Sequence, residues 1–171
     1  HIRKELATRT IFNVLGPLTN PAGAQSQLLG VYSDKLVNIM AGALKQLGTR
    51  HALVVHSKDG MDEISISADT HVSELKNGKI KRYIIRPEKY GFRKARLVSI
   101  KANTLEDAKR LALSVLKGEK GPHRDVVLLN AGAAIYLANK AGTLQKGITL
   151  AKTSIDQGHA LKKLEQLAAF A

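Results

Sequence analysis

This sequence predicts an α/β fold with an open, partly parallel mixed sheet flanked by helices, and three observations carry the prediction. An apolar run at 28–32, a helix-periodic stretch and a second apolar run at 51–56 follow one another, the order of a βαβ unit, whose two strands lie parallel. Asn77-Gly78 separates the stretches 71–76 and 79–86, and that dipeptide is the strongest short signal for an antiparallel hairpin. From residue 104 onward the apolar residues recur mainly at helical spacing, which supplies the flanking helices. At 171 residues the chain fits a single domain, 1–171, with a sizeable core.

Taken in order, the opening stretch is irregular yet apolar. Gly16, Pro17 and Pro21 break helix and strand, because proline fixes φ and lacks a donor while glycine permits positive φ. Ile11, Phe12, Val14, Leu15 and Leu18 nevertheless give the stretch a buried composition. Buried irregular backbone needs its polar groups satisfied by side chains such as Asn13, Thr19 and Asn20, so this segment is expected to wall a cleft.

After the strand at 28–32, Ser33 can cap a helix whose Leu36, Val37, Met40, Ala41, Leu44 and Leu47 fall at helical spacing, with Gly48 at its end. Residues 51–56 read as a buried strand. The acidic loop Asp59-Gly60-Met61-Asp62-Glu63 follows it, at the edge where open α/β sheets place ligands. Beyond the hairpin, 95–100 is expected as a further strand. Thr104 should cap a helix that turns Leu111, Val115 and Leu116 inward and stops at Gly118. Residues 125–139 could open as a strand at Val126-Val127-Leu128-Leu129, but their length and alanines favour a buried helix. The last segment, 145–170, sets Ile148, Ala151, Ile155, Leu161, Leu164 and Ala168 along one face, with Gly158 marking close packing or a break.

Composition narrows the function classes. The absence of cysteine removes disulfides, thiolate zinc sites and cysteine nucleophiles, and fits a reducing cytoplasm. The six histidines form no H-x-x-x-H pair and read as solvated or structural. No apolar run reaches the roughly 18 residues of a membrane span. The charged opening carries no signal peptide and begins as if inside a helix, which suggests a piece of a longer protein.

A surplus of 27 basic over 14 acidic residues gives +13, which suits nucleic acid, anionic small substrates, or a protein whose remaining part is acidic. Residues 79–96 concentrate the charge: Lys79, Lys81, Arg82, Arg86, Lys89, Arg93, Lys94 and Arg96 stand against Glu88 alone. With Tyr83, Tyr90 and Phe92 interleaved, this is the best nucleic-acid candidate in the chain, although a solvated hairpin face accounts for it as well. Aromatics at 4% and no tryptophan make a poor stacking platform.

Asp62 and Glu63 can present two hard oxygen ligands, which suits a Mg²⁺ ion completed by water and substrate phosphates. Asp59 is a weaker candidate. Taken alone, such a pair is more often a solvated turn. Arg3 and Arg9 each offer a guanidinium fork able to pair a planar carboxylate through two parallel bonds, though Arg3 alone reads as a surface helix arginine. No Ser/His/Asp nucleophile set, G-x-G-x-x-G or Walker A sequence is evident.

The wording of four separated segments is more specific. Residues 3–22, R-K-E-L-A-T-R-T-I-F-N-V-L-G-P-L-T-N-P-A, resemble the R-x-x-L-G-x-R-T-x-F-N-x-L-G-P-L-T-N-P-A of the anthranilate phosphoribosyltransferases. Asp59-Gly60-Met61-Asp62-Glu63 resembles that family's D-G-x-D-E, residues 86–91 its x-P-E-D-F-G, and residues 129–136 its L-N-A-G-A-A-L-Y. Ala7 stands where the family usually has Gly, and Lys89 where it usually has Asp.

The resemblance implies a glycosyltransferase or nucleoside-phosphorylase-like α/β domain without its N-terminal helical domain. It also implies transfer of the phosphoribosyl group from phosphoribosyl pyrophosphate to anthranilate, releasing pyrophosphate, in tryptophan biosynthesis. On this reading Asp62 and Glu63 hold the Mg²⁺ that accompanies the diphosphate, Arg3 contacts the anthranilate carboxylate, and Arg9 braces the loop after it. The full-length enzyme would be a cytoplasmic homodimer. The family's G-T-G-G-D phosphate loop has no counterpart here, so this chain alone is expected to be inactive. A nucleic-acid-binding relative of the same fold and a nucleoside phosphorylase are the alternatives; the intact F-N-x-L-G-P-L-T-N-P and D-G-x-D-E motifs weigh against the second.

Overall fold

The computed structural model describes residues 15–170. Its sheet comprises β1 (Ser26–Gly30), β2 (His51–Ser57), β3 (Thr70–Lys76) and β4 (Lys79–Ile85), in spatial order β1-β2-β3-β4. β1 and β2 are parallel and joined through α1 (Asp34–Gln46), whereas β2–β3 and β3–β4 are antiparallel. The sheet is therefore mixed and partly parallel, as the sequence predicts. The β3–β4 turn has φ of 50° at Asn77 and 75° at Gly78, the pair of positive values that a two-residue type I′ hairpin needs.

Both faces of β2 are covered, so it is buried along nearly its whole length and apolar at residues 52–55. Ala52 and Val54 point to one side, where Val37, Met40, Ala41 and Leu44 of α1 close over them. Leu53 and Val55 point to the other, against Leu129, Ala133 and Leu137 of α3 (Pro122–Leu137) and Leu144 and Ile148 of α4 (Leu144–Asp156). Residues 125–137 of the stretch 125–139 thus lie in a helix, which begins three residues earlier than expected because Pro122 suits a first-turn position and ends at Leu137, before Asn139 at φ 55°. α2 (Leu105–Leu116) joins α3 and α4 in a smaller cluster around Val115, Leu128, Ala151 and Ile155. Thr104 caps α2 by accepting the Asp107 N–H at 3.0 Å.

Two expectations are corrected. Residues 95–100 form no strand: the Ser99 N–H and hydroxyl both donate to the Arg96 carbonyl, at 2.8 and 2.6 Å. They close a 3₁₀ turn over Leu97–Ile100, a local side-chain alternative to a sheet ladder. The segment 145–170 is not one face. It breaks at Gly158 (φ 71°) into α4 and α5 (His159–Ala168), and while Ile148, Ala151 and Ile155 are buried, Leu164 and Ala168 are exposed.

Helices α3 and α4 meet at two glycines. A Cβ on Gly147 would sit 2.2 Å from the Gly132 carbonyl oxygen, and one on Gly132 would sit 2.5 Å from the Ile148 side chain. Backbone occupies the space, so a methyl group cannot be absorbed by a rotamer change. Gly147→Ala should therefore lower stability by about 1–3 kcal/mol. Gly42→Ala in α1, where a Cβ meets nothing within 4 Å, should instead add about 0.4–1 kcal/mol. Denaturant unfolding of the two variants beside the parent checks both signs.

Toward the hairpin end, Glu74 accepts hydrogen bonds from His51 Nε2 at 3.0 Å and from Tyr136 Oη at 2.6 Å. Burial raises the Glu74 carboxyl, but bonds from Tyr136, His51 and Tyr83 outweigh it and hold the pKa below its ordinary value. A folded value below the unfolded one means that this contribution is complete above the ordinary pKa and is lost as pH falls through the folded value. Glu74→Gln should cost about 1 kcal/mol near neutrality, the difference between charge-assisted and neutral hydrogen bonds. That cost should shrink in urea titrations taken progressively below pH 4.5.

Candidate functional site

Because β1 and β2 run parallel, their carboxyl ends share one edge, and the loop at 58–69 rises from it. His56 Nδ1 lies 2.8 Å from the Val31 carbonyl, and the Val31 N–H donates to the Val55 carbonyl at 2.9 Å. These bonds hold the chain leaving β1 beside β2. Gly30, the last residue of β1, meets the loop directly: a Cβ there would lie 1.5 Å from the Asp62 carbonyl oxygen. Only hydrogen at this position lets the loop main chain settle on the strand end.

The loop is packed and internally bonded. Ile64 and Ile66 are fully buried. The Met61 N–H donates to Asp59 Oδ1 at 3.2 Å, the Ser65 hydroxyl to Asp59 Oδ2 at 2.6 Å, and the Ser65 N–H to Thr70 Oγ1 at 3.1 Å. Asp59, the weaker metal candidate, therefore has both oxygens engaged in bracing the loop. Asn130 of α3 accepts the Ile64 N–H at 3.0 Å and donates to the Ile64 carbonyl at 2.8 Å.

Asp62 and Glu63 differ from Asp59 in this respect. Both are exposed, and neither carboxylate makes a hydrogen bond or ion pair with another of the described residues. Among the described residues no cluster of three or more His, Asp or Glu side chains could enclose a metal ion. A pair of exposed hard oxygens fits an ion that takes its remaining ligands from water and a phosphate-bearing substrate, as Mg²⁺ does.

The basic stretch at 79–96 is not one continuous face. Lys79 and Lys81 lie toward the hairpin, whereas Lys94 pairs with Asp69 at 3.2 Å and Glu88 at 3.1 Å, and Arg86 Nε approaches Asp69 at 3.4 Å. The Lys94 hydrogen bond, with Arg86 in support, holds the Asp69 carboxyl below the usual carboxylate range. These contacts tie the segment after β4 to the end of the acidic loop. Tyr83, Tyr90 and Phe92 pack against the main core, so they do not line up as an exposed stacking surface.

Arg3, Arg9 and Asn13 lie outside the described residues. Of the opening stretch, Gly16–Leu18 forms a 3₁₀ turn, and Leu18 packs against the α1 face of the core. Thr19 Oγ1 donates to the Leu15 carbonyl at 3.2 Å and Asn20 Oδ1 accepts the Ala22 N–H at 2.9 Å, the local satisfaction expected of those side chains. Leu15 and residues 19–25 are exposed.

Sequence reasoning assigned no role to Gly30, His56 or Asn130. The available signal was Asn130, an amide within the apolar run at 126–135, where a polar group requires a partner.

The geometry can now be set beside known proteins. The family model described as "Glycosyl transferase family, a/b domain" matches residues 1–161. The chain is 54% identical over 167 residues to an anthranilate phosphoribosyltransferase of Methylococcus capsulatus, covering 98% of this chain and 49% of the relative. It is 48% identical over 169 residues to that of Nitrosomonas europaea, covering 99% and 50%. Among solved structures, anthranilate phosphoribosyltransferase from Thermus thermophilus superimposes with a TM-score of 0.89 at 43% identity, over 99% of this chain and 50% of that one. The Saccharomyces cerevisiae enzyme in complex with PRPP and Mg gives 0.81 at 31% identity, over 96% and 46%. The chain thus spans about half the length of the relatives it matches. On these matches the chain belongs to the glycosyl transferase family through its a/b domain, and the relatives that it matches are anthranilate phosphoribosyltransferases.

Proposed function

We infer that the protein carrying this chain transfers the phosphoribosyl group of phosphoribosyl pyrophosphate to the amine of anthranilate and releases pyrophosphate, in tryptophan biosynthesis. The observation that carries the reading is the exposed Asp62–Glu63 pair. It stands at the carboxyl edge of the parallel strands, on a loop whose other polar groups are largely engaged, in a chain of this family. Residues 1–171 act as one α/β domain of that enzyme, a cytoplasmic homodimer. No helix among the described residues is long and apolar enough to cross a membrane.

Asp62 and Glu63 would hold Mg²⁺, which when bound neutralises charge developing on the departing diphosphate. The chain's own part is positional. The loop presents the two carboxylates at a fixed place, Arg3 pairs the anthranilate carboxylate through its guanidinium fork, and Arg9 braces the following segment. Holding the amine in line with the anomeric carbon then converts a bimolecular encounter into a local one. The inward packing of Tyr83, Tyr90 and Phe92 favours assigning the +13 charge to anionic small substrates rather than to nucleic acid.

Two measurements on the intact enzyme test this. Asp62→Asn combined with Glu63→Gln should leave the fold intact, since exposed amides are near-isosteric. It should shift the activity-against-Mg²⁺ curve to higher concentration; superimposable curves would reduce the pair to a solvated turn. Arg3→Ala should raise the KM for anthranilate far more than that for phosphoribosyl pyrophosphate, because losing one partner of a desolvated charge pair costs about 2–5 kcal/mol. An unchanged anthranilate KM would remove Arg3 from the site.

A further inference from the structure

We propose that Asn130 is a positioning residue for the Asp62–Glu63 pair, fixing from the middle of α3 where the two carboxylates stand. The inference rests on the reading of that pair as metal ligands. Ile64 follows Glu63 directly, and one side-chain amide takes both of its main-chain groups. Oδ1 accepts the Ile64 N–H at 3.0 Å and Nδ2 donates to the Ile64 carbonyl at 2.8 Å. The second hydrogen of Nδ2 goes to the Val126 carbonyl, one turn back in α3, at 3.0 Å. The amide is thereby locked to its own helix while it grips the loop.

Only an amide meets these demands. The site asks for one acceptor and two donor hydrogens at one side-chain end, which aspartate lacks and an aliphatic residue lacks altogether. The platform beneath is firm: Leu129 is fully buried on one side of Asn130, and Gly132 is pressed against Gly147 two residues on. On the far side of Glu63, the Asp62 carbonyl lies against Gly30. The main chain is thus held at Asp62 and at Ile64, one residue to either side of Glu63. Neither hold uses a carboxylate oxygen, so the loop is fixed while both ligating groups stay available.

The test uses the intact enzyme, with Mn²⁺ and inorganic pyrophosphate as the probe, read by the electron paramagnetic resonance of free Mn²⁺, alongside hydrogen exchange of the metal-free protein. Asn130→Ala should raise the Kd of Mn²⁺ in the presence of pyrophosphate at least tenfold, with the affinity for anthranilate changed less than twofold. Faster exchange should be confined to residues 58–66. Asn130→Asp keeps the acceptor for the Ile64 N–H and carries the same test should the alanine variant fail to fold; its Ile64 amide should stay protected while Mn²⁺ binding still weakens. Two results would overturn the proposal. If Asp62→Asn with Glu63→Gln abolishes Mn²⁺ binding while both Asn130 variants retain it, the pair binds metal without help from Asn130. If the double variant itself binds Mn²⁺ normally, the metal reading of the loop fails first, and the role of Asn130 falls with it.

Discussion

The architecture depends on the backbone contact between α3 and α4 at Gly132 and Gly147. Because neither residue carries a side chain, the two helices approach until main chain meets main chain, closer than larger residues allow. That approach lets Ile148 of α4 share a core with Leu129 and Ala133 of α3 and with Leu53 and Val55 of the sheet. It also stations Asn130 beside the acidic loop. A helix displaced by the width of a methyl group would carry its amide away from Ile64, so a packing contact within the helical layer reaches the edge of the sheet.

The three acids of Asp59-Gly60-Met61-Asp62-Glu63 show how neighbours divide one sequence feature into two uses. Asp59 spends its oxygens on Met61 and Ser65 and so stabilises the turn. Asp62 contributes its backbone to the packing, and both Asp62 and Glu63 leave their side chains exposed. Electrostatics treats Asp69, at the far end of the loop, in a third way: Lys94 and Arg86 compensate it and bind the loop to the segment after β4.

Much of this was legible in the sequence wherever a local rule determines the outcome. Asn77-Gly78 forces its hairpin through backbone stereochemistry, Thr104 caps its helix through its own hydroxyl, and the run at 52–55 is apolar because both faces of β2 are covered. The strand expected at 95–100 failed because Ser99 satisfies the backbone locally, a competition that β-propensity does not register. Gly30 and the glycine pair of α3 and α4 were silent because their partners, Asp62 and one another, are remote in sequence; Asn130 stood out as a polar group in an apolar run, but its partner Ile64 is equally remote. The acidic pair could be singled out from the motif, with Asp59 ranked below it, but the physical reason for that ranking appears only once Ser65 is seen to reach back across the loop.

The hairpin also settles how the sheet ends. Among the described residues β4 has a neighbour on one side only and is exposed along most of its length, with Ile80 and Ile84 open to solvent. An edge of that kind invites pairing with the edge of another molecule. Lys79, Lys81 and Arg82 sit on this strand, and a second copy laid alongside in antiparallel register would bring cations against cations. Positive charge on an edge strand opposes edge-to-edge pairing, a part that this basic run can play with no ligand bound.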